Sequence, residues 1–481
     1  MRVAVIGQGS IGRRHAALLL ELGHQAVTYD PDPGSSPPAG AGTTQTADEC
    51  LKGADAAIVA SPSSEHVRDA RRAIERGVPV LVEKPPALDE AHCAELEWLS
   101  RERGVMLSVA MSMREHAGVR AVAQLLEEGA VGEILSARAW CGSWLPGWRP
   151  HADYRVSYSA RAELGGGALL DVAVHELDYL LWLAGAPRTV AGLARHVSTL
   201  ELDVEDVASI SLELESGALA EVSVDYFDRG YTRGCRIVGS EGTVQWSWED
   251  ERVTAHDASG IRTANDVPSD VAPAYRRQLA RFLAAVAAGG EAPVPAAEAR
   301  RVLSSLDGAR RSSRHGRRVA LAPPLALRDA YEGDAALLLG WRNDPDTRRW
   351  SRTTGEIAPG EHASWLRRTL ADSATRLWIV QDGERPVAQV RTGPREGATT
   401  EVHVGVAPSE RGRGIGAATL IEAAARALAE PEVERLVAHV KPEHDASLAA
   451  FARAGFHARG SDAEGLVRLE RVLAGAERGG P

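Results

Sequence analysis

The chain has 481 residues, of which 44% are hydrophobic and 25% are charged, and its formal net charge is −11. A chain of this length is predicted to form two to four compact units, each with a core of its own. The acidic balance argues against a nucleic-acid partner, because such partners select a basic surface. No apolar run reaches the roughly 18 residues that a membrane span requires, so no membrane association is expected.

The four cysteines are isolated and show no C-x-x-C spacing. Isolated cysteines of this kind are typical of reduced thiols inside the cell rather than of a disulfide framework. The chain begins with MRVAVIGQGSIG, in which no charged and apolar leader precedes the first strand pattern. We therefore expect a cytoplasmic protein, and the pattern of possible ligands predicts no metal site. Only three lysines occur, Lys52, Lys84 and Lys441, so a lysine at a motif position is informative.

Residues 1–118 alternate short β-rich runs with helical patterns; the runs are RVAVIG, AVTYD, AAIVA, PVLVE and MLSVA. This alternation predicts βαβ units and a parallel sheet, hence an α/β domain. Residues 119–322 add a helix, an irregular Trp/Pro-rich loop, a second helix and then strands of period two separated by glycine turns. They predict an α+β domain with a mostly antiparallel sheet that has one open face.

Paired prolines at 323 and 324 interrupt both helix and strand, so residues 323–327 are predicted to be a linker. Residues 328–472 contain two amphipathic helical patterns, the strand pair LWIVQDG and RPVAQVRT, and the strand VHVGVA. That strand leads into a glycine-rich turn and an alanine-rich helix, so a further α+β domain is expected. Residues 473–481 are expected to be a frayed tail.

The run GQGSIG at residues 7–12 follows the first predicted strand and precedes a helix. In such a loop the first glycine allows the turn, the second lets a pyrophosphate approach, and the third lets helix and strand pack. Asp30 ends the second predicted strand, where an acid accepts from a ribose 2′-OH. The pattern predicts an NAD site, with NADP disfavoured by the charge of Asp30; its residues are Gly7, Gly9, Ser10, Ile11, Gly12 and Asp30. An ordinary turn with a surface aspartate is the alternative.

Three further residues have the chemistry that alcohol oxidation requires, namely a base at the hydroxyl while hydride leaves the carbon. Asp171 and His175 are four residues apart and share one face of a helix, so Asp171 is expected to orient the imidazole or tune its charge. Lys84 ends a parallel strand, where desolvation is expected to lower its pKa so that it shuttles the proton. A core histidine and a solvated loop lysine are the alternatives.

The first ~320 residues resemble the Gfo/Idh/MocA oxidoreductase family in three places. The glycine loop continues to His15, residues 83–85 form the Glu-Lys-Pro signature, and a triple glycine precedes Asp171, His175 and Asp178. The resemblance implies a Rossmann domain, an open-faced sheet domain and hydride transfer with a sugar or cyclitol. We also expect homo-oligomers through the open sheet. Further residues join the expected site: Ser61, His66 and Glu83 for the cofactor, and Asp178 for the substrate. For His66, a helix-capping segment is an equal alternative.

The loop LPGWRPHADYRVSYSARAELGGG precedes the helix that carries His175. Arginine pairs with phosphate or carboxylate, and aromatic rings stack on sugars or bases. The loop resembles those of family members associated with bacterial surface-sugar and nonulosonic-acid gene sets. The predicted substrate-binding residues are Arg149, Tyr154, Arg155 and Tyr158, and packing of the aromatic rings on the sheet is the alternative.

The segment VGVAPSERGRGIG at residues 404–416 reads as a strand, a turn and a helix start, whose backbone N–H groups can form a nest for a pyrophosphate. It matches the R/Q-x-x-G-x-G/A signature of GNAT acetyltransferases, and residues 440–456 resemble the family's V-x-P-x-N-x-x-S…Y…GF segment. The resemblance implies acetyl-CoA as cofactor, bound by Val404, Val406, Arg411, Gly412, Arg413, Gly414, Ile415, Gly416 and His444.

Two positions depart from that signature: His444 replaces the usual asparagine, and Phe451 replaces a tyrosine that often serves as general acid. Glu401 and His403 share one strand face and are the candidate bases; surface polar residues are the alternative. The segment LLLGWRNDPDTRRWS resembles the subgroup that acetylates 4-amino sugar nucleotides, which places Arg342 and Asn343 near the acceptor. An amphipathic helix with a buried tryptophan is the alternative reading.

These features predict a bifunctional enzyme of bacterial amino-sugar nucleotide biosynthesis, acting on small-molecule sugars or sugar nucleotides. It would combine a sugar dehydrogenase or ketoreductase with a sugar-amine N-acetyltransferase. One alternative is a cyclitol or aminocyclitol dehydrogenase with an acetyltransferase. Another is an oxidoreductase whose GNAT module only senses acetyl-CoA, a reading favoured by Phe451.

Overall fold

The computed structural model describes residues 1–323, 325–430 and 432–473, except for the side chain of Arg262. The chain divides into two compact units, Met1–Leu321 and Ala322–Pro481. Position 324 of the expected linker and positions 474–481 of the expected tail lie outside the described residues. Across the described parts of the chain, no helix has the length and apolar character needed to cross a membrane. The same residues contain no group of acidic, histidine or cysteine side chains arranged to hold a metal ion.

The first unit opens with a six-stranded parallel sheet in the order β3-β2-β1-β4-β5-β6. Strands β4, β5 and β6 are buried along their whole length, because helices cover both faces of a parallel sheet. The strands are β1 (Arg2–Ile6), β2 (Gln25–Tyr29), β3 (Gly42–Thr43), β4 (Ala56–Val59), β5 (Val80–Glu83) and β6 (Leu107–Ala110). The helices are α1 (Ser10–Glu21), α2 (Ala47–Leu51), α3 (His66–Glu75), α4 (Glu90–Arg103) and α5 (Ala117–Glu127).

The rest of this unit is built on a nine-stranded, mostly antiparallel sheet in the order β14-β13-β12-β11-β7-β10-β9-β8-β15. Buried and exposed residues alternate along β9 and β10, which leaves one face open; the expected association of copies through it stays a prediction. The strands are β7 (Ile134–Gly142), β8 (Pro187–Arg195), β9 (Val207–Leu214), β10 (Leu219–Asp225), β11 (Thr232–Gly239), β12 (Thr243–Ser247), β13 (Arg252–Asp257), β14 (Gly260–Asp266) and β15 (Val319–Ala320). The helices are α6 (Val174–Ala184), α7 (Ala272–Ala288) and α8 (Ala296–His315).

The segment between β7 and α6 positions the predicted catalytic residues. It consists of short 3₁₀ turns and ends in a π-helical turn, Leu169–Ala173, which continues directly into α6. Single π-turns inside helices are frequent at functional sites. Here the change of helix type comes between Asp171 and His175, so the regular i, i+4 geometry expected from the sequence does not hold across this pair.

The described residues of the second unit form a seven-stranded sheet in the order β16-β17-β18-β19-β20-β22-β21. Only its β19–β20 pair is parallel. The strands are β16 (Ala326–Asp329), β17 (Arg376–Asp382), β18 (Arg385–Thr392), β19 (Thr399–Val406), β20 (Arg435–Val440), β21 (His457–Ser461) and β22 (Val467–Val472). The helices are α9 (Ala335–Asn343), α10 (Pro345–Trp350), α11 (Pro359–Ala371), α12 (Ile415–Leu428) and α13 (Asp445–Arg453).

Candidate active sites

The glycine loop between β1 and α1 has three glycines with different surroundings. A Cβ atom at Gly7, which has a φ of +94°, would lie 2.4 Å from the carbonyl oxygen of Ala60. One at Gly12 would lie 2.0 Å from the carbonyl oxygen of Gly7. Around Gly9 there is open space within 4 Å. Packing therefore requires the first and third glycines, and the second leaves a cradle that a dinucleotide phosphate can enter.

The end of α1 that faces this cradle suits an anion. Its N-cap, Gly9, supplies no side chain to cap the helix, so the first backbone N–H groups, at Ser10 and Ile11, remain available to a phosphate. Beside the loop, Asp30 Oδ2 accepts from Gln8 N at 2.5 Å and its Oδ1 accepts from Asp32 N at 2.9 Å. The predicted cofactor residues of this loop thus lie together and fit a nicotinamide dinucleotide.

The ends of β4 and β5 are tied together by a buried histidine. His66 places Nε2 2.8 Å from the carbonyl oxygen of Ser61 and Nδ1 2.8 Å from that of Pro85. Burial lowers the pKa of His66. Glu83 Oε1 lies 2.7 Å from His15 Nε2, and both side chains are buried. These residues shape the loops beside the cofactor cradle and hold Lys84 at the end of β5.

Lys84 forms an ion pair with Asp171, which corrects the predicted proton shuttle. Its Nζ donates to Asp171 Oδ1 and to the Asp171 carbonyl oxygen, both at 2.9 Å. Burial by itself lowers the pKa of Lys84, but the Asp171 carboxylate outweighs burial and raises it above its ordinary value. Lys84 is therefore a fixed cation and a hydrogen-bond donor, and the predicted lowering of its pKa is wrong.

The Asp171 carboxylate is held by groups other than the imidazole that the sequence predicted. Its Oδ2 accepts from Ser159 Oγ at 2.6 Å and from the Tyr226 hydroxyl at 3.4 Å. Across the described residues, His175 Nδ1 is buried without a hydrogen-bond partner. The expected Asp171–His175 pair is thus replaced by a network centred on Asp171, to which Lys84, Ser159 and Tyr226 donate. Ser159 and Tyr226 have no local sequence signal, because each comes from a different part of the chain.

His175 lies near two cations. Its pKa is lowered well below the ordinary value, first by burial and then by the charges of Lys84 and Arg233. Arg233 is itself buried and pairs with Glu176, with Nη2 2.6 Å from Oε1. The imidazole is therefore neutral near pH 7 and has a nitrogen lone pair with which to accept a proton. A general base must be neutral in this way before it takes a proton, although the same lowering makes the ring a weaker base.

The predicted substrate residues separate into two groups. Tyr158 lies within electrostatic reach of Lys84 and Asp171, and burial raises its pKa to about 12. Arg149 is exposed, and the Tyr154 hydroxyl accepts from the backbone N–H of Glu201 at 3.2 Å. The exposed Arg155 pairs with two carboxylates, those of Asp153 and Glu201. Of these four loop residues, Tyr158 is the one that lies beside the predicted catalytic cluster.

Asp178 has a different role from the one predicted. Its two oxygens accept from Arg114, Nε at 2.8 Å and Nη2 at 2.6 Å, and its exposed fraction is 1%. Both oxygens face a buried guanidinium, and at 1% exposure the carboxylate is out of reach of a sugar hydroxyl. Asp178 therefore contributes to the core beneath α6 rather than to substrate binding.

In the second unit, β19 and β20 pair over only three residues, ending at Glu401 opposite Val437. On the other side of β19, the Glu401 carbonyl oxygen accepts from Gly393 N at 2.8 Å. Bonding residues alternate along an antiparallel strand, so the backbone groups of Val404 and Val406 point away from β18 and into the space where β20 diverges. An extended amide-containing chain, such as the pantetheine arm of CoA, can pair with them there.

The turn after β19 forms the predicted diphosphate nest. Gly412 and Gly414 both have a φ of +79°, a conformation that glycine adopts without strain. Gly414 is the N-cap of α12 and provides no side chain to it, so the backbone N–H groups of Ile415 and Gly416 are available to an anion.

The two arginines of the turn bind carboxylates of this unit. Arg411 Nη2 donates to Asp344 Oδ1 at 2.6 Å and to Thr347 Oγ1 at 2.7 Å. Arg413 pairs with the buried carboxylate of Glu410. These contacts anchor the turn to its surroundings.

The two residues that depart from the GNAT signature are packed against aromatic rings. His444 stacks on Trp350 with ring centroids 4.2 Å apart and planes 4° from parallel. Burial, followed by the charge of Arg411, lowers the pKa of His444. Phe451 is 3% exposed and makes an edge contact with Phe456. No hydroxyl is therefore present at the position of the usual tyrosine acid.

Glu401 and His403 share one face of β19, with Oε2 and Nε2 3.4 Å apart and exposed fractions of 32% and 37%. The hydrogen bond from His403, assisted by its charge, lowers the pKa of Glu401 despite some burial. Glu401 is therefore an ionised, weak base. The structure brings the two predicted bases together as a loosely held pair.

The predicted acceptor residues of α9 hold the following loop. The Asn343 amide exchanges two hydrogen bonds with the backbone of Ile357, both at 2.9 Å. Arg342 Nη2 donates to the carbonyl oxygen of Thr353 at 2.7 Å. Both side chains therefore fix the loop that follows α10, and the carbonyl and amino groups of Asn343 are both engaged there.

Three family models match the chain. Residues 1–111 match an oxidoreductase family with an NAD-binding Rossmann fold, residues 119–245 match the GFO/IDH/MocA C-terminal domain, and residues 325–457 match an acetyltransferase (GNAT) domain. These matches confirm the predicted resemblances and fold classes.

Individual proteins are similar to the first unit. Inositol 2-dehydrogenase 2 of Paenarthrobacter aurescens is 30% identical over 315 residues, 61% of this chain and 89% of that protein. A dTDP-3,4-didehydro-2,6-dideoxy-alpha-D-glucose 3-reductase of Streptomyces violaceoruber is 34% identical over 191 residues, 40% of this chain and 53% of that protein. The crystal structure of GenD2 from gentamicin A biosynthesis, in complex with NAD, aligns with a TM-score of 0.58 and 26% identity over 67% of this chain and 96% of that chain. The chain therefore belongs to the Gfo/Idh/MocA oxidoreductase family and carries a GNAT acetyltransferase domain.

Proposed function

We propose that the chain is a bifunctional enzyme of amino-sugar nucleotide metabolism, which transfers hydride at one sugar carbon and acetylates a sugar amine. The observation that carries this proposal is the presence, in one chain, of a cationic hydride-transfer cluster and a diphosphate nest beside two diverging strands. Similarity to a dTDP-sugar reductase supports a nucleotide-linked substrate.

In the dehydrogenase reaction, a nicotinamide dinucleotide held at the loop of residues 7–12 would accept hydride in oxidation or supply it in reduction. Lys84 donates a hydrogen bond to the reacting oxygen, because its positive charge is maintained by Asp171. His175 takes the hydroxyl proton, since burial and two neighbouring cations keep its ring neutral. In the reverse direction the same groups stabilise and protonate the developing alkoxide.

We propose NAD rather than NADP as the cofactor. The Asp30 carboxylate is fixed beside the cradle by two backbone N–H groups, and it would repel a 2′-phosphate. Calorimetric titration should show tighter binding of NADH than of NADPH. In Asp30→Asn, the ratio of the affinities for NADH and NADPH should fall by about tenfold, since a charge repulsion of roughly 1 kcal/mol or more disappears. Tighter binding of NADPH by the unaltered chain would contradict the proposal.

In the transferase reaction, the backbone groups of Val404 and Val406 hold the extended arm of acetyl-CoA, and the nest at Gly412–Gly416 holds its diphosphate. The amine of the acceptor then attacks the thioester carbonyl carbon. A thiolate leaves without help from a strong acid, because thiols are far more acidic than alcohols. The position of Phe451 is therefore compatible with turnover.

The acceptor class can be tested with acetyl-CoA and two amine probes, a UDP-linked 4-amino-4,6-dideoxyhexose and a free aminocyclitol. We expect acetylation of the nucleotide-linked amine, which mass spectrometry of the product would detect. Acetylation of the aminocyclitol alone would support the second candidate, a cyclitol-modifying enzyme, which similarity to an inositol dehydrogenase favours. Binding of acetyl-CoA without transfer to either probe would favour a sensing module.

A further inference from the structure

A second histidine–carboxylate pair lies in the transferase unit, between β20 and the loop that follows β21. His439 Nδ1 lies 2.8 Å from Asp462 Oδ2, and each side chain is 19% exposed. The other oxygen, Asp462 Oδ1, accepts from the backbone N–H groups of Glu464 and Leu466 at 2.9 Å each. The backbone therefore fixes the carboxylate, and the carboxylate fixes the ring.

This arrangement determines which ring nitrogen is free. Burial opposes ionisation of Asp462, but the hydrogen bonds from Leu466, Glu464 and His439 lower the pKa of its carboxyl. An ionised carboxylate only accepts hydrogen bonds, so Nδ1 of His439 carries the hydrogen. Its Nε2 then has a lone pair, the state that a carboxylate imposes on a basic histidine.

His439 lies where the two parallel strands separate. Glu401 on β19 and Val437 on β20 are the last residues of the two strands that pair with each other. His403 lies two residues after Glu401, and His439 lies two residues after Val437. Because side chains two residues apart share a face, His403 and His439 project from the same side of the sheet. The ring is thus placed at the mouth of the gap in which the thioester of acetyl-CoA would lie.

The charged groups around His439 come from three elements. On β22, Arg468 is its cross-strand neighbour and pairs with Glu470 at 2.7 Å. On β19, Glu401 is within electrostatic reach of His439, and Arg352, from the loop after α10, acts on the same carboxylate. Arg468 and Arg352 are thus each balanced by a carboxylate, Glu470 and Glu401. Because of this balance, the site can accommodate the positive charge that His439 acquires on taking a proton.

We propose that His439 is the general base of the acetyl transfer and that Asp462 positions it. The proposal rests on the transferase function proposed above. Nε2 takes one proton from the acceptor ammonium, and the freed amine bonds to the thioester carbonyl carbon. The carbon–sulfur bond then breaks, the second amine proton passes to the thiolate to give the CoA thiol, and His439 releases its proton to water.

The alternative base, His403, is held less firmly. Its contact with Glu401 is 3.4 Å long and both side chains are about a third exposed. The contact of His439 with Asp462 is shorter and more enclosed. A base that must keep one tautomer through each cycle is better served by the second arrangement.

Asp462→Asn tests the proposal with little change in shape. The amide oxygen can still accept from the loop backbone, but the amide N–H now faces Nδ1 and forces the hydrogen onto Nε2. We expect kcat for the UDP-linked amino sugar to fall by about 10²–10⁴, the usual effect of losing a general base. In His439→Gln, kcat should fall by a similar factor. In both variants the affinity for acetyl-CoA should stay within threefold of that of the unaltered chain. His457→Gln, an exposed histidine on β21, is the matched control.

Two readouts separate a catalytic role from a structural one. In the unaltered chain labelled with ¹⁵N-histidine, NMR should show His439 with hydrogen on Nδ1, a signal assigned by its loss in His439→Gln. Asp462→Asn should move that hydrogen to Nε2. Turnover by His439→Gln should also recover as the pH is raised, because the acceptor ammonium then loses its proton to solvent and no longer needs the base.

The outcomes also distinguish the two proposals. If the unaltered chain acetylates neither amine probe, the proposed function fails. The role of His439 can then be tested by the slow hydrolysis of acetyl-CoA in the absence of an amine, measured as release of the CoA thiol. There we expect at least a tenfold loss in Asp462→Asn. An Nε2–H tautomer in the unaltered chain, or thiol release and transfer within threefold of normal in Asp462→Asn, would overturn the role of His439.

Discussion

The two predicted catalytic clusters of the chain differ in how firmly the protein holds their charges. Lys84 and Asp171 are 15% and 9% exposed and lie 2.9 Å apart. Glu401 and His403 are 32% and 37% exposed and lie 3.4 Å apart. Removing one partner of the enclosed pair leaves a charge that water cannot reach, whereas water can replace a partner of the open pair. Substitutions should therefore have very different consequences at the two sites.

The enclosed cluster also shows why burial alone is a poor guide to a pKa. Burial lowers the pKa of both Lys84 and His175. Lys84 has the Asp171 carboxylate beside it, so its pKa rises, while His175 faces cations and its pKa falls further. One cluster thus holds a cation and a neutral imidazole side by side, as the proposed division between oxyanion stabilisation and proton transfer requires.

The largest effect should come from Lys84→Met, which keeps the length of the side chain and removes its charge. We expect dehydrogenase turnover to fall by about 10²–10⁴, with NADH affinity within threefold. Unfolding free energy should fall by about 3 kcal/mol, because Asp171 loses its buried partner. Steady-state kinetics on the best sugar or cyclitol substrate and urea unfolding provide the two measurements.

A double substitution serves as the control for this result. Lys84→Met with Asp171→Leu removes both charges, so much of the lost stability should return while turnover stays low. If the single and double variants were equally unstable, the ion pair would not be the cause, and turnover near that of the unaltered chain would exclude Lys84 from the reaction.

An intermediate effect is expected at the diphosphate nest, where Gly414 has a φ of +79°. Asn and Asp both tolerate this conformation better than other residues, and they differ in charge but hardly in shape. Gly414→Asp should weaken acetyl-CoA binding about 10- to 100-fold more than Gly414→Asn, because the carboxylate repels the diphosphate. Equal affinities of the two variants in calorimetry would show that no diphosphate binds beside Gly414.

The smallest effect should come from Glu401→Gln in the open cluster. An exposed ion pair contributes about 0–1 kcal/mol to stability, so urea unfolding should differ from the unaltered chain by less than about 1 kcal/mol. A loss near 3 kcal/mol would show that this pair is as enclosed in solution as Lys84–Asp171 and would remove the contrast between the clusters.

The sequence was informative where function depends on a continuous segment. The spacing of the glycines predicts the glycine loop and the turn after β19, and the resemblance to a family signature identifies Glu-Lys-Pro. The alternation of strand and helix patterns predicts the parallel and open sheets. Backbone nests of this kind require glycines at fixed positions, whatever packs around them.

The sequence was misleading where a side chain finds its partner far along the chain. Asp171 meets Lys84, 87 residues away, and the Tyr226 hydroxyl, 55 residues away. Asp178 and Asn343 look like ligand-binding groups by residue type. In the fold, Asp178 forms an ion pair with Arg114, which is distant in sequence, and Asn343 hydrogen-bonds to the backbone of Ile357 in the nearby loop. No pattern within a short window carries that information.

We propose that the chain contains two sites, each complete within its own compact unit, and fragments 1–321 and 322–481 test this most directly. Each fragment has a core of its own and should unfold cooperatively. Calorimetry should show NADH binding only to the first fragment and acetyl-CoA binding only to the second, each with a Kd within threefold of the full chain. A second fragment that unfolds cooperatively but does not bind acetyl-CoA would contradict the account.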